Sequence, residues 1–254
     1  MNNKLFWTLS PNGNQTLRDL EKENENFTWD EYNQGKYDAN NYIWHEMFQF
    51  YSFGSDGCDY ERMGCQINEG DVVLDIGANI GLFAHRAETK GASKVICFEP
   101  ITPTFECLIK NKGPKTIVYK NAVGGENKIV EFKIHSDYTQ IGGATFSDDA
   151  LPVKDIIHSE MVFFIDINEI FKSLCEKIDF MKIDIEGGEL ELLNNITDEN
   201  LSVLRCLALE LHIIDEKYEE LHHTFWSRMV NLGYQGYCLY HGDGKLRTLN
   251  FWKK

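Results

Sequence analysis

The sequence predicts an α/β protein built on a mostly parallel sheet with helices on both faces. From Gly70 onward, short apolar runs rich in β-branched residues alternate with stretches of helical character. This alternation is typical of parallel strands that are joined by crossover helices. The first run, 72–76, passes directly into a glycine-containing turn and then into a helix. A chain of 254 residues is long enough for one large domain of this kind.

The predicted strands and helices follow one another in a regular order. The strands cover 72–76, 94–98, 116–119, 178–185 and 203–211, and the helices cover 82–90, 102–112, 189–194 and 215–232. Pro103 in the first turn of the second helix and Gly233 just past the last helix stand where those residue types are favoured. Two further runs, 234–240 and 245–251, flank the turn at 242–244 and predict a C-terminal antiparallel hairpin.

Two segments fall outside this alternation. Residues 1–60 form an N-terminal extension rich in aromatic residues, with a helix predicted at 40–53. This extension is either a cover packed on the sheet or a substrate lid, and a cover is favoured because domains bury many aromatic side chains. Residues 125–165 form a substrate-side insertion, with an alternating strand at 129–134 and a flexible loop at 140–145. The remainder, 61–254, is expected to be one domain.

Charge and cysteine usage restrict the partners and the compartment. The chain has 25 Lys and Arg against 40 Asp and Glu, a formal net charge of −15. Phosphate backbones and anionic lipids repel such a protein, so we expect no nucleic acid and no membrane partner. The seven cysteines have irregular spacing and no Cys-x-x-Cys pair, and the N-terminus lacks the apolar core of a signal peptide. These features predict a cytoplasmic protein without a disulfide framework or a zinc site.

The turn Asp75-Ile76-Gly77-Ala78-Asn79-Ile80-Gly81 predicts a ligand at the end of the first strand. Glycines allow a sharp turn and a close approach by a ligand. A dinucleotide-binding turn has a second glycine two residues after the first, where pyrophosphate reaches the helix N-terminus, and here Asn79 occupies that position. Asp75 would also repel a phosphate. Both departures favour a ligand with a positive centre and no phosphate, and S-adenosylmethionine has these properties.

A second carboxylate supports this interpretation. Glu99 ends the second strand, 18 residues after Gly81, where a carboxylate accepts hydrogen bonds from a ribose diol. This feature alone would serve a nicotinamide dinucleotide equally well. Asn121 and Ala122 follow the third strand, where the adenine edge is expected. The predicted cofactor contacts are therefore Asp75, Gly77, Ala78, Asn79, Gly81, Glu99, Asn121 and Ala122.

Several motifs together resemble the FkbM-type methyltransferases. The turn at 75–81 is similar to the family's first motif, and 98–100 (Phe-Glu-Pro) and 121–124 (Asn-Ala-Val-Gly) are similar to two others. The most specific motif is 178–189, which resembles the hallmark Asp-x-x-Lys-Ile-Asp-x-Glu-Gly-x-Glu, with Gly188 where alanine is frequent. The segment Leu-Glu-Leu-His at 209–212 matches the family's fifth strand.

The resemblance covers about residues 60 to 240 and implies a class I (Rossmann-like) methyltransferase fold. It implies S-adenosylmethionine-dependent methyl transfer, usually to a hydroxyl oxygen on a sugar, glycan or small metabolite. It adds Pro100 to the predicted cofactor contacts. It also adds Glu61, because Tyr60-Glu61 matches a position that often faces the methionine part of the cofactor, although an ordinary surface glutamate fits Glu61 equally well.

The catalytic candidates are Asp184, Glu186, Glu210 and His212. Strand alternation places the first two on one face of their strand and the last two on one face of theirs, so neighbouring strands would bring all four together. An alcohol loses its proton as it attacks, and a base promotes this step. We expect His212 and Asp184 as bases, since histidine titrates near neutrality, with Glu186 and Glu210 orienting the acceptor.

Three alternatives remain open from the sequence. Asp184, Glu210 and His212 could hold a divalent cation that acidifies the acceptor hydroxyl, although no metal is predicted. The pair Glu186-Gly187 could simply begin a helix. The chain as a whole could be a nicotinamide-dependent oxidoreductase, which Asp75 and Asn79 argue against, or a degenerate relative that binds cofactor as an interaction module, which the intact motif residues argue against.

Overall fold

The structure is a computed structural model, and it describes residues 58–135, 156–174 and 177–253 together with two short strands, β1 (Trp7–Thr8) and β2 (Gln15–Thr16). These two strands pair antiparallel. The helix expected at 40–53, the loop expected at 140–145 and the role of the N-terminal extension lie outside the described residues. The domain boundary at residue 60 therefore stays a prediction.

The strands and helices of the main body follow in chain order. They are β3 (Val72–Ile76), α1 (Leu82–Thr89), β4 (Lys94–Phe98), α2 (Thr102–Asn111), β5 (Thr116–Tyr119), β6 (Ala122–Gly124), β7 (Lys128–His135), β8 (Ile156–Asp166), α3 (Ile167–Ser173), β9 (Phe180–Ile183), α4 (Glu189–Asn195), α5 (Asp198–Val203), β10 (Cys206–His212), α6 (Glu216–Asn231), β11 (Gln235–His241) and β12 (Leu246–Trp252).

Seven strands form the central sheet in the order β5-β4-β3-β9-β10-β12-β11. The first five are parallel, and β12 runs antiparallel to both β10 and β11. The strand order reverses between β3 and β9, and in such sheets ligands bind beyond the carboxyl ends of the strands at this point. The predicted parallel sheet with its C-terminal hairpin is confirmed.

Both faces of the sheet are covered by helices. Every residue of β3 and of β9 is buried, which explains why these strands form continuous apolar runs in the sequence. On one face, Val73 and Cys97 belong to a cluster that includes apolar residues of α1 and α2. On the other face, Leu74 and Ile76 belong to a cluster that includes apolar residues of α3, α4, α5 and α6.

The insertion forms a separate three-stranded sheet in the order β6-β8-β7. Strand β6 is parallel to β8, and β7 is antiparallel to it. One face of this sheet buries Phe132, Val162 and Phe164 with Ile101 and Ala122. The strand expected at 129–134 lies within β7, whereas β8 and the helix that follows it were not anticipated.

One further difference concerns a local boundary. The strand expected at 203–211 begins only at Cys206, because residues up to Val203 form α5, whose first turn is capped by the Thr197 side chain accepting a hydrogen bond from Asn200 N.

Within the described parts of the chain, no helix combines the length and the apolar character needed to cross a bilayer.

Candidate active site

The glycine turn after β3 is held against the end of two neighbouring strands. The backbone N–H groups of Gly77 and Ala78 both donate to the carbonyl of Phe98, each at 3.0 Å. Gly77 has a φ of 77°, and a Cβ atom there would overlap the carbonyl oxygen of Asp184. Gly81 has a φ of 93°, and its Cβ would press on Leu108 Cδ1. The two glycines are therefore required by packing within the protein before any ligand arrives.

Glu99 fixes the other side of the turn. Its carboxylate accepts hydrogen bonds from Asn79 N at 2.8 Å, Ile101 N at 3.0 Å and Thr104 Oγ1 at 2.7 Å. Burial raises the pKa of Glu99, and these hydrogen bonds oppose the rise. Asn79 has a φ of 49°, a left-handed conformation that asparagine tolerates better than most residues. The Glu99 carboxylate therefore ties the turn to the start of α2.

Lys182 connects the turn to the hallmark segment after β9. Its ammonium group donates to the carbonyl of Gly77 at 2.7 Å and lies 3.4 Å from Asp75 Oδ1 and 3.3 Å from Asp184 Oδ2. Burial alone would lower the pKa of Lys182, but Asp184 and Asp75 overcome this and raise it well above its usual value. Asp75 itself has no exposed surface, and burial raises its pKa. It faces the lysine and not the pocket.

A pocket lies at the switch point of the sheet, and the empty space in and around its mouth, open solvent included, is about 650 Å³. Eight of the predicted site residues line it: Gly77, Asn79, Glu99, Pro100, Asn121, Ala122, Asp184 and Glu186. The apolar part of its wall comes from Ile76, Phe98, Ile101, Val123, Phe132, Phe164 and Ile185. The predicted residues Asp75, Ala78 and Gly81 shape the turn without lining the pocket.

The structure does not bring Glu61 to this pocket. The side chain is fully buried, and its carboxylate pairs with Arg86 of α1 and accepts a hydrogen bond from Ile67 N at 3.0 Å. The ammonium group of Lys90, the residue just past the end of α1, lies 3.8 Å from the Glu61 carboxylate. Glu61 is therefore neither a cofactor contact nor a surface glutamate, and both expectations for it need correction. Its role here is to attach the segment before β3 to α1.

The four catalytic candidates do come together. Strands β9 and β10 are neighbours, with Ile183 opposite Leu209, so the residues that follow them converge. The His212 ring contacts one candidate carboxylate and one further carboxylate. Its Nε2 lies 3.1 Å from Glu186 Oε2, and its Nδ1 lies 3.0 Å from Oε1 of Glu189, the first residue of α4. It is also 3.8 Å from Glu210.

Tyr60, which was not predicted from the sequence as a site residue, links Asp184 to Glu210. The hydroxyl of Tyr60 lies 3.0 Å from Asp184 Oδ2 and 3.0 Å from Glu210 Oε2. The only sequence signal for Tyr60 is its place beside Glu61 upstream of the turn. The part of that motif that reaches the site is therefore the tyrosine and not the glutamate.

The expectation that His212 acts as a base needs correction. Burial lowers its pKa, but the hydrogen bonds to Glu186 and Glu189 more than compensate and raise it to about 12. Both ring nitrogens face carboxylates, so at neutral pH the ring is an imidazolium without a lone pair. Glu210 behaves differently, since burial and the neighbouring Asp184 raise its pKa to about 8. Burial also raises the pKa of Glu186.

Glu186 does more than begin a helix. Helix α4 has Gly188 at its N-cap and no side-chain capping bond, while the Glu186 carboxylate pairs with His212. Its φ of 50° lies in the left-handed region, which costs a non-glycine residue free energy and is frequent at functional sites. The His212 contact and the following Gly187 hold this conformation in place.

A metal site is not evident in the part of the chain that the structure describes. No group of three His, Cys, Asp or Glu side chains there is arranged to hold a metal ion. Of the three ligands considered from the sequence, Asp184 and Glu210 share the Tyr60 hydroxyl, and His212 presents both nitrogens to carboxylates.

The strand order of the sheet and the pocket at the switch point between β3 and β9 are those of a class I methyltransferase. Residues 75–235 match the model of the family described as the methyltransferase FkbM domain. Because this match spans more than half of the chain, the protein belongs to the FkbM methyltransferase family.

Characterised relatives are distant. The chain is 28% identical over 203 residues to the 31-O-demethyl-FK506 methyltransferase FkbM of Streptomyces tacrolimicus, a match over 66% of this chain and 75% of that protein. It is 27% identical over 150 residues to the hexuronic acid methyltransferase AglP of Haloferax volcanii, over 58% of each. It is 26% identical over 188 residues to the AMB antimetabolite synthetase AmbE of Pseudomonas aeruginosa, over 60% of this chain and 9% of that protein.

A solved structure shares the fold. The crystal structure of the methyltransferase FkbM from Methylobacillus flagellatus KT matches with a TM-score of 0.52 and 16% identity, over 80% of this chain and 47% of that one. The chain thus spans less than two thirds of the Methylobacillus, Haloferax and Pseudomonas proteins.

Proposed function

We propose that this protein is a cytoplasmic enzyme that transfers a methyl group from S-adenosylmethionine to a hydroxyl oxygen of a sugar, glycan or small metabolite. One observation carries the proposal. A single pocket is lined by the Glu99 carboxylate, by the Gly77 turn and by the Asp184 carboxylate, in a chain of the FkbM family. Two relatives are named for methylation of 31-O-demethyl-FK506 and of a hexuronic acid, which supports a small-molecule or sugar acceptor.

The lining of the pocket suits this cofactor. Glu99 Oε1 already accepts from Ile101 N and Thr104 Oγ1, but Oε2 accepts only from Asn79 N, so one lone pair remains for a ribose hydroxyl. The apolar wall beside Asn121 and Ala122 suits the adenine ring. The carboxylates of Asp184 and Glu186 suit a positively charged centre.

The same lining disfavours a nicotinamide dinucleotide. None of the described residues that line the pocket is Lys or Arg, and Asn79 stands where a pyrophosphate-binding turn has glycine. An uncompensated pyrophosphate would therefore face Asp184 and Glu186. Free cysteines at all six described positions also support the expected reducing compartment.

When bound, S-adenosylmethionine would supply a methyl group activated by its sulfonium. The chain's own residues would do the rest. Asp184 lines the pocket and is placed to accept the proton of an acceptor hydroxyl. Lys182 fixes the position of Asp184, and the His212 imidazolium holds Glu186 at the edge of the pocket. Placement of this kind contributes to the rate by aligning the acceptor with the methyl group.

Isothermal titration calorimetry with S-adenosylmethionine tests the proposed cofactor. The wild-type protein should bind, and Glu99→Ala should weaken binding by about tenfold or more, since hydrogen bonds to a charged group are lost. Glu106→Ala removes the same charge from an exposed position on α2 and should leave the affinity unchanged. A wild-type protein that does not bind would refute the proposal, and undiminished binding by the Glu99 variant would remove the ribose contact.

The acceptor can be found by mass spectrometry. Extracted metabolites and glycans are incubated with S-adenosylmethionine and the protein, and compounds that gain one methyl group are selected. A true product should fail to form with Asp184→Asn, which keeps the shape of the side chain but cannot take the proton.

A further inference from the structure

Tyr60 occupies a fixed position between the carboxylate of Asp184, which lines the pocket, and the carboxylate of Glu210 behind it. Its ring packs edge-on against Phe83 of α1, with 5.7 Å between ring centroids, and the Lys182 ammonium lies 5.3 Å from the ring centre. The side chain is buried, with 7% of its surface exposed. The ring contacts therefore place the hydroxyl, and the hydroxyl meets Asp184 and Glu210 at equal distances of 3.0 Å.

The number of protons in this group follows from the geometry. A tyrosine hydroxyl carries one hydrogen, which can point straight at one acceptor only, and an ionised carboxylate can only accept. Two linear hydrogen bonds within this group of three side chains therefore need a second proton. Without that proton, two lone pairs would face each other at 3.0 Å.

The second proton belongs on Glu210. Asp184 has the Lys182 ammonium as counter-charge, 3.3 Å from its Oδ2. Glu210 faces the charges of Asp184 and Glu186, and His212, which stands 3.8 Å away, is already paired with Glu186 and Glu189. The pKa of Glu210, raised to about 8, agrees with this placement.

We propose that Asp184, Tyr60 and Glu210 form one proton-holding unit, in which Asp184 takes the proton of the acceptor hydroxyl and Tyr60 passes a proton on to Glu210. This inference rests on the proposed function and adds the destination of the proton. Asp184 is the catalytic residue, because it lines the pocket, and Tyr60 and Glu210 are positioning residues that act through it.

The step balances in atoms and electrons. A lone pair of the acceptor oxygen forms the bond to the methyl carbon, and the carbon–sulfur bond breaks with its electron pair remaining on sulfur. The acceptor proton moves to Asp184. Asp184 then donates to the Tyr60 oxygen while Tyr60 gives its own hydrogen to the ionised Glu210. The net change is one proton moved from the acceptor to Glu210, so the unit is ready to react once the resting proton of Glu210 has left.

Several groups act on the ionisation of Glu210. Those that face it are Tyr60 from the segment before β3, Lys182, Asp184 and Glu186 from β9 and the residues after it, and His212 from its own strand. On the β12 side, Thr248 is opposite Glu210 in the strand register, and its hydroxyl contacts His241 Nε2 at 2.8 Å.

Infrared difference spectroscopy of the intact protein between about pH 6 and about pH 10 tests the resting proton. A carbonyl stretch from a protonated carboxyl group should be present at the acid end and should disappear with a midpoint near pH 8. Glu210→Gln should remove this component. Glu219→Gln, a change on α6 at a glutamate paired with Arg247, should not. An absent component in the wild type, or an unchanged one in the Glu210 variant, would overturn the proposal.

Tyr60→Phe tests the link between the two carboxylates. Phenylalanine keeps the ring contacts and removes the hydroxyl, whose hydrogen bond lowers the pKa of Glu210. The infrared midpoint should therefore move upward by about one pH unit. A purely structural tyrosine would leave the midpoint unchanged, and that result would sink the proposal.

The two proposals fail separately. The infrared midpoints do not depend on any ligand, whereas calorimetry with S-adenosylmethionine does not depend on the proton count. Once mass spectrometry has identified the acceptor, kcat should rise with pH, with a midpoint equal to the infrared midpoint of Glu210. Tyr60→Phe should shift the infrared midpoint and the kcat midpoint in the same direction.

Discussion

Lys182 shows how one side chain organises two motifs that are far apart in the sequence. Its ammonium group donates to the carbonyl of Gly77 in the turn and forms ion pairs with Asp75 of β3 and Asp184 of the hallmark segment. An ammonium group in a dry site is tolerated only when such partners surround it. The lysine therefore neutralises the buried carboxylates and fixes the one that faces the pocket.

Replacing Lys182 should be strongly destabilising. Lys182→Met fills similar space but leaves Asp75 buried without a counter-charge, and breaking a buried ion pair in this way costs about 3–5 kcal/mol. Lys177→Met is the matched control, because Lys177 is exposed and its 3.4 Å ion pair with Asp179 is of the surface type, worth below about 1 kcal/mol. Urea denaturation of both variants measures the difference, and similar losses would contradict the role given to Lys182.

The charge state of His212 could not be predicted from the sequence, although part of its surroundings could. The alternation within β10 correctly placed His212 on the same face as Glu210, because periodicity determines which side chains share a face. Glu186 reaches His212 from the turn after β9 and not from the strand itself. The alternation did not reveal that Glu189, from the next helix, reaches the other ring nitrogen and turns a candidate base into a fixed cation. Charge states depend on partners from several elements, and those partners are visible only in three dimensions.

At the scale of elements, the central strands were predictable because they are buried on both faces. Such strands appear as short apolar runs, and β3 and β4 were predicted with the same bounds that the structure shows, as was the half-exposed edge strand β5. Strand β8 was missed for the opposite reason. Met161 and Phe163 point outward, with 66% and 47% of their surface exposed, while Val162 and Phe164 point inward. Apolar residues on both faces remove the alternation that marks a half-buried strand.

The packing of the turn onto β9 predicts a large effect at Gly77. Gly77→Ala must adopt a positive φ and must also avoid the Asp184 carbonyl, so the end of β9 has to move. At Gly233 the φ is also positive, at 88°, but an added Cβ would have no atom within 4 Å. Gly233→Ala should therefore cost only about 1–2 kcal/mol of unfolding free energy. We expect a larger loss of unfolding free energy, together with loss of S-adenosylmethionine binding, for Gly77→Ala alone. Equal stabilities of the two variants in urea would disprove this packing argument.

At the scale of the whole molecule, the site makes stability depend on pH. The pKa of Glu210 is raised to about 8 in the folded protein. At pH values above 4.5 the folded state therefore keeps the Glu210 proton, whereas the unfolded chain has lost it. The stability that Glu210 contributes is therefore lost as pH rises toward 8. His212 has its pKa raised to about 12, so its contribution is complete below 6.5 and is lost at higher pH. Both groups act in the same direction between pH 6.5 and 8.

The protein should accordingly become less stable as the pH rises from 6.5 to 8, by up to about 1.4 kcal/mol per pH unit for each group. Guanidinium denaturation at a series of pH values measures the slope. Glu210→Gln should flatten it, and Glu220→Gln, at an exposed position on α6, should leave it unchanged. A stability that rises through this interval would show that the two groups are not ionised as described.

The three-stranded sheet has a consequence for how this fold can vary. Strand β6 supplies Ala122 to the pocket wall and pairs with the Phe164–Asp166 end of β8, while β7 is joined to the same end through the pair of Lys128 with Phe164. The register at this base is set by the backbone pairing of β8 with β6 and β7. The side chains on the outer face of this small sheet, among them Ile129, Met161 and Phe163, are exposed and take no part in that pairing. A lineage, or a protein engineer, can therefore change the outer face of this sheet without rebuilding the wall of the pocket.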